Sequence, residues 1–228
     1  MELINCLGKD FEDACFNLAS EIISDDYIPD VVIGVAKGGA KVSLPIYNYL
    51  KVSNPNIKYC EVMIQRPCTV FMKYIGIKNI FKFMPNICLD WLRKITIYVH
   101  EFIYDHFNKG EFKRKGHVYI PQDILYYIHH NNSKVLIIDD AIDSGSTLTI
   151  INNYINSTFV GPALKYDTQI RYAVLTTTYK NPIIKPNYCL YNRLILRFPW
   201  AFDAFKFIKK KETSVFEVLN TLQKNGYA

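Results

Sequence analysis

Lys134-Val-Leu-Ile-Ile-Asp139 is an unbroken apolar run that ends in an acid, and Asp140-Ala-Ile-Asp-Ser-Gly-Ser-Thr147 follows it directly. A run that is apolar on both faces fits a strand covered on both sides, the habit of parallel strands under helices. The turn chemistry after it, followed by a helical pattern over 148–156, predicts a strand–loop–helix unit. Val31-Val-Ile-Gly-Val35 is a second run of this kind, with a tight loop at Ala36-Lys-Gly-Gly39 and a helix expected from Ala40 to Leu50. Further strands are predicted over 57–64, 170–178 and 193–197. Apolar spacing predicts helices over 11–23, capped by Asp10, over 88–107, and over 121–130 with Pro121 in its first turn. Strands alternating with helices in this way predict an α/β fold with a mainly parallel sheet.

Composition narrows the class. The chain has 228 residues, half of them hydrophobic, and 21% charged, enough apolar material for a real core. Lys and Arg number 27 against 21 Asp and Glu, a net charge of +6. That excess is mild and suits an anionic small ligand as well as a nucleic acid. The six cysteines make no CxxC pair and lie mostly in apolar company, so buried free thiols are expected. No leader pattern is visible and no run of 18 apolar residues occurs, which points to a cytoplasmic protein.

Two adjacent acids at the carboxyl end of a buried strand are the first chemical signal. Ligands of open α/β sheets bind at those strand ends. Asp139 and Asp140 can present two carboxylates to a polyol or a metal. Asp143, Ser144, Gly145, Ser146 and Thr147 then bridge strand to helix. Gly145 permits a tight turn, and successive N–H groups at a helix N-terminus favour a phosphate. The plain alternative is an acidic loop with a helix cap, which explains one such residue better than the whole run. The loop Ala36, Lys37, Gly38, Gly39 is weaker alone, but its glycines permit close backbone approach to an anion and Lys37 adds charge.

Val135-Leu-Ile-Ile-Asp-Asp-Ala-Ile-Asp-Ser-Gly-Ser-Thr-Leu148 resembles the phosphoribosyl-diphosphate (PRPP) signature of type I phosphoribosyltransferases, closest to the purine enzymes. The resemblance implies that Asp139 and Asp140 hold the ribose hydroxyls and that the turn 143–147 wraps the 5′-phosphate. It gives Asp143 a second role as proton acceptor or donor at N7 of the base. It makes Ala36, Lys37, Gly38 and Gly39 the diphosphate loop, with a cis bond between Ala36 and Lys37. It also implies Mg²⁺, which Asp139 and Asp140 would meet directly or through ribose hydroxyls or water.

Thr177-Thr-Tyr-Lys-Asn-Pro182, Lys185-Pro-Asn-Tyr188 and Leu196-Arg-Phe-Pro-Trp200 resemble the base-binding end of xanthine/guanine-type members. The resemblance puts Lys180 at the oxygen on purine C6. Ile142, Ile195, Phe198 and Trp200 complete the implied base pocket. Ile195 stands where an aromatic residue commonly stacks on the purine, and Trp200 fits packing better than stacking. The implied function is transfer of phosphoribose from PRPP to a 6-oxopurine by a homodimer or homotetramer, with no nucleic acid involved.

The interval 65–116 departs from the resemblance. It reads as a helical insertion in a single domain of 1–228, with 179–200 as the segment hooding the base. The insertion suits a hood, a dimer surface or a lipid-facing patch, and no closing-loop residue is assigned within it. The basic cluster Lys109 to Lys115 suits diphosphate, membrane or RNA, or is a solvated turn. Two other functions fit the same motifs: a module that senses PRPP or a nucleotide and acts on RNA or a partner protein, and a transferase for a non-purine acceptor.

Overall fold

A computed structural model describes residues 1–64, 85–107, 118–131, 133–157, 168–201 and 203–204. Its strands are β1 (Glu2–Asn5), β2 (Val31–Ala36), β3 (Lys58–Ile64), β4 (Val118–Tyr119), β5 (Lys134–Ile142), β6 (Gln169–Thr177), β7 (Tyr188–Asn192) and β8 (Leu194–Arg197). Its helices are α1 (Lys9–Ser24), α2 (Gly38–Ser53), α3 (Asn86–Phe107), α4 (Gln122–His130) and α5 (Ser146–Ser157).

The main sheet has the order β4-β3-β2-β5-β6-β7, with β4 antiparallel to β3 and every other pairing parallel. The alternation of side chains along the central strands divides the core between two faces. Val32, Leu136 and Ile138 pack with Leu18 and Ile22 of α1 and with Ile46 of α2. Val31, Ile33, Val135 and Ile137 pack on the other face with Ile124 and Ile128 of α4 and Leu148 and Ile151 of α5. These side chains are all but fully buried, and each contributes about 1.5–3 kcal/mol of apolar transfer. The result is an α/β architecture with a mostly parallel sheet between two helical layers.

The chain runs outward from β2 to β3 and β4, then returns to β5 on the other side of β2. The switch point therefore lies between β2 and β5, where Gly34 pairs with Ile138. A crevice forms at the carboxyl ends of strands at such a point. Gly34 itself is dictated by α2. A Cβ there would meet Ser43 Oγ at 2.1 Å, and Ser43 Oγ hydrogen-bonds Tyr59 OH on β3 at 3.0 Å.

A second, two-stranded parallel sheet joins β1 to β8. Helix α3, of 22 residues, docks on it through charge. Arg197 of β8 is 1% exposed, and its guanidinium pairs with Asp90 and Asp203 and bonds Asn5 of β1. Arg93 of α3 reaches Asp203 at 2.9 Å. Burial works to raise the Asp203 carboxyl, but Arg93 and Arg197 outweigh it and leave it below its ordinary value. The outward face of α3 carries Ile87, Trp91, Tyr98, Val99 and Phe102 exposed. Among the described residues no helix is long and apolar enough to cross a membrane.

Several sequence-based boundaries are corrected. Gly8, at φ 54°, is the N-cap of α1, and Asp10 sits in the first turn, where its charge suits the helix dipole. Pro121 keeps an extended ψ of 136° and precedes α4 as its N-cap. Helix α2 begins at Gly38, so the two glycines form its first turn. Strand β5 continues past Asp139 because β6 still pairs with it as far as Ile142–Thr177. The short strands β1, β4 and β7 were not anticipated. Cys6, Cys15 and Cys60 are buried free thiols as expected, whereas Cys189 is half-buried and Cys88 is exposed. Residues 65–84 and 108–117, including Cys68 and the basic cluster, lie outside the described residues.

Candidate functional site

The two loops singled out in the sequence meet at the switch point. A Cβ on Gly38 would lie 2.0 Å from Asp140 Oδ2, and one on Gly39 would lie 2.7 Å from Asp139 Cα and 2.8 Å from the Ile138 carbonyl oxygen. Glycine is required at 39, where the first turn of α2 meets main-chain atoms of β5, while at 38 the contact is with the Asp140 side chain alone. The Ala36–Lys37 peptide is cis. Lys37 is the N-cap of α2 and is exposed, while Gly39 is buried.

Asp139 is 5% exposed, and its Oδ1 accepts the Asp140 N–H at 2.9 Å. Asp140 is half-buried, and its Oδ1 accepts the Ala141 N–H at 3.0 Å. Backbone donors thus orient both carboxylates beside the glycine turn. Beyond Ile142 the chain leaves the sheet through exposed Asp143 and reaches Gly145 at φ 80°, a left-handed conformation that favours glycine. Helix α5 starts at Ser146. Ser144 Oγ donates to Ser146 Oγ at 3.0 Å, and the Thr149 N–H and hydroxyl both bond the Gly145 carbonyl. The N-terminus of α5 thus lies at this turn, and the N-terminal end of a helix favours an anion.

The segment after β6 folds back over this turn. The Ile183 N–H bonds Ser144 O at 2.8 Å, and a Cβ on Gly145 would come within 2.9 Å of Ile184 N. Thr178 anchors the same segment: its N–H bonds Ile142 O at 2.9 Å and its hydroxyl donates to Asp143 Oδ1 at 2.5 Å. Lys180 follows, with an exposed side chain. Asp143 and the segment carrying Lys180 are therefore joined through Thr178.

The other predicted pocket residues are buried or half-buried. Ile195 is 4% exposed on β8, where it pairs with Leu3 of β1. Phe198 stacks on Trp200 with ring centroids 4.8 Å apart, and Trp200 meets the edge of Phe11 in α1. Lys41 lies over the Trp200 ring at 5.5 Å. This aromatic cluster packs the base of the second sheet against α1 and α2. Ile142 is buried under the turn among the α4 and α5 core.

Residues from α3 were missed by sequence reasoning. Glu101 is 7% exposed and accepts the Lys180 backbone N–H at 2.6 Å. It also pairs with Arg193, whose guanidinium donates to Thr178 O at 2.6 Å. Tyr104 packs against Tyr179 with ring centroids 5.5 Å apart. The only available signal was a lone Glu with aromatic neighbours inside a helical pattern, which points to no partner.

Among the described residues no cluster of three or more His, Cys, Asp or Glu side chains is arranged to hold a metal. Two carboxylates suit a hard cation that takes the rest of its shell from substrate and water oxygens, as Mg²⁺ does.

No family model matches the chain, and no curated protein does. Solved structures do. A purine phosphoribosyltransferase from Pyrococcus horikoshii Ot3 superposes with a TM-score of 0.51 at 21% identity, covering 88% of this chain and 94% of that one. A xanthine-guanine-hypoxanthine phosphoribosyltransferase of Helicobacter pylori gives 0.51 at 12% identity, covering 90% and 98%. A hypothetical protein from Neisseria gonorrhoeae with bound ppGpp gives 0.50 at 16% identity, covering 99% and 97%. The fold is that of the type I phosphoribosyltransferases.

Proposed function

We propose that this chain is a phosphoribosyltransferase that moves the 5-phosphoribosyl group from PRPP to a 6-oxopurine, releasing diphosphate and forming a nucleoside 5′-monophosphate. The observation that carries this is the direct seating of Gly38 and Gly39 on Asp140 and Asp139 at the switch point of the sheet. It supports a reading in which this turn accepts an anion and the adjacent carboxylate pair accepts a diol of one ligand. The glycine turn at 143–147 supplies the phosphate end.

In this reading the Asp139 and Asp140 carboxylates accept hydrogen bonds from the two ribose hydroxyls. The amides and hydroxyls of Ser144 to Thr147 hold the 5′-phosphate. Amides of the Lys37–Gly39 turn, with the Lys37 charge, hold the diphosphate. Asp139 and Asp140 are also the residues that would meet Mg²⁺, directly or through ribose hydroxyls or water. When bound, that ion supplies charge neutralisation at the leaving group. The C1′–O bond to diphosphate breaks ahead of attack, and purine N9 forms the new bond to C1′. Asp143 takes or shares the proton at N7, and Lys180 offsets charge growing at O6. Thr178 fixes the Asp143 carboxylate for this role by donating to Oδ1.

A second reading has one specific support. The Neisseria gonorrhoeae structure was solved with ppGpp, and it covers 99% of this chain. A nucleotide-sensing role would use the same anion turns without transfer. The test is diphosphate release from PRPP across hypoxanthine, guanine, xanthine, adenine, uracil and orotate. Base-dependent release with a 6-oxopurine supports the transferase. PRPP or ppGpp binding without release from any base overturns it in favour of sensing.

A further inference from the structure

Three consecutive residues at the rim are held from three directions. Thr178 is fixed from β5 and from Arg193. Tyr179 is 8% exposed against Tyr104. The Lys180 backbone N–H is held by Glu101. Two of these restraints come from α3, which lies in the interval that departs from the sequence resemblance. Glu101 is the hinge of the arrangement: one buried carboxylate oxygen takes both the Lys180 N–H and the Arg193 guanidinium. Arg193 sits at φ 62° in the corner between β7 and β8, so the same pair ties the second sheet to the rim.

We infer that Glu101 is a positioning residue for the base: through Arg193 and the Lys180 backbone it fixes the rim that carries Lys180 and, via Thr178, Asp143. This rests on the transferase reading. A planar purine edge held between Asp143 and Lys180 tolerates little error, since a displacement of about 1 Å is enough to cost about 100-fold in rate. Among the described residues Glu101 bonds only Lys180 and Arg193, and it reaches the phosphate turn only indirectly, at Asp143 through Thr178. Its loss therefore moves the base parameters more than the PRPP ones. The buried acceptor is also specific. Gln at 101 keeps an oxygen for the Lys180 N–H but gives up the charge facing Arg193, whereas Ala gives up both.

The experiment compares the parent chain with Glu101→Gln and Glu101→Ala in steady-state transfer to hypoxanthine, guanine and xanthine, varying base and PRPP separately. Hydrogen exchange of the peptide containing Lys180 is followed alongside. The expected result for Glu101→Ala is a base KM raised about 10-fold or more, with the PRPP KM within about 2-fold of the parent. Exchange at residues 178–180 speeds up, and Glu101→Gln falls between the other two. A parent active on a base, with the base KM and the 178–180 exchange unchanged in both variants, overturns this inference alone. Equal loss of base and PRPP affinity does so too, because it marks a general structural role. A parent that transfers to no base overturns the transferase reading and this inference with it. Should Glu101→Ala fail to fold, Glu101→Gln carries the same comparison with a smaller expected shift.

Discussion

An alanine at position 39 has no place for its methyl group. Its Cβ would lie 2.7 Å from Asp139 Cα and 2.8 Å from the Ile138 carbonyl oxygen, both main-chain atoms of β5. Ordinary contact begins near 3.4 Å, so α2 or the end of β5 must shift by about 0.7 Å. Overpacking of this kind costs about 1–3 kcal/mol, against a helix-propensity gain of at most about 1 kcal/mol. The net loss of up to about 2 kcal/mol lowers the melting midpoint by up to about 8 °C in a chain of this size. Gly38→Ala is the control. Its nearest clash, at 2.0 Å, is with the far end of the Asp140 side chain, which can turn away. The melting midpoint should then stay close to the parent's. PRPP affinity should fall about 10-fold or more, because the displaced carboxylate no longer meets the ribose. The assay is a thermal melt of both variants with a PRPP titration by calorimetry. A Gly39→Ala variant that melts above the parent refutes the close seating of α2 on β5. A Gly38→Ala variant with unchanged PRPP affinity refutes the role given to Asp140.

Asp143→Asn should lower the rate of nucleotide formation by about 100-fold or more while sparing PRPP binding, measured by single-turnover kinetics and calorimetry. Lys180→Met should raise the base KM about 10-fold, since it removes a charged hydrogen bond to the base but leaves the backbone bond to Glu101 intact. Arg197→Met leaves Asp90 and Asp203 without their shared guanidinium and should cost about 3 kcal/mol in urea unfolding. Burial pushes the Cys6 and Cys60 thiols up to about 12 from 9.0. Their contribution to stability is intact below pH 9, where thiols are protonated in both states. It is lost as pH rises from 9 towards 12, because only the unfolded chain ionises freely. The urea midpoint should fall across that window, with each thiol contributing at most about 1.4 kcal/mol per pH unit. A midpoint that holds or rises from pH 9 to 11 contradicts this.

The parts of the fold legible in the sequence are those set by local chemistry. β2 and β5 announce themselves because strands buried on both faces need continuous apolar runs. The turn at Gly145 announces itself because a left-handed residue followed by hydroxyls and a helix has few other forms. β1, β7 and β4 were not legible. Each is short and takes its form from its partner, and for β1 that partner, β8, lies nearly the whole chain away. Helical preference favours proline 121 in the first turn of α4, whereas its extended ψ places it one residue earlier. The role of Arg197 was invisible because its partners lie on α3, β1 and residue 203, and no spacing rule links them. The same holds for Glu101. A sequence shows which side chains carry charge, but only packing shows which backbone N–H a buried carboxylate will meet. Phe198 and Trp200 make a related point. Aromatic residues near a pocket motif are equally good core, and here they stack on each other and on Phe11.

The most direct test follows the product itself. PRPP, Mg²⁺ and a 6-oxopurine are incubated with the parent chain and with the double variant Asp139→Asn/Asp140→Asn, and the mixture is resolved by chromatography with mass detection. The account predicts a nucleoside 5′-monophosphate that accumulates one-to-one with diphosphate in the parent and is lost in the double variant. PRPP that binds to the parent yet yields no nucleotide with any base, or a product that forms equally well without the two carboxylates, would contradict it.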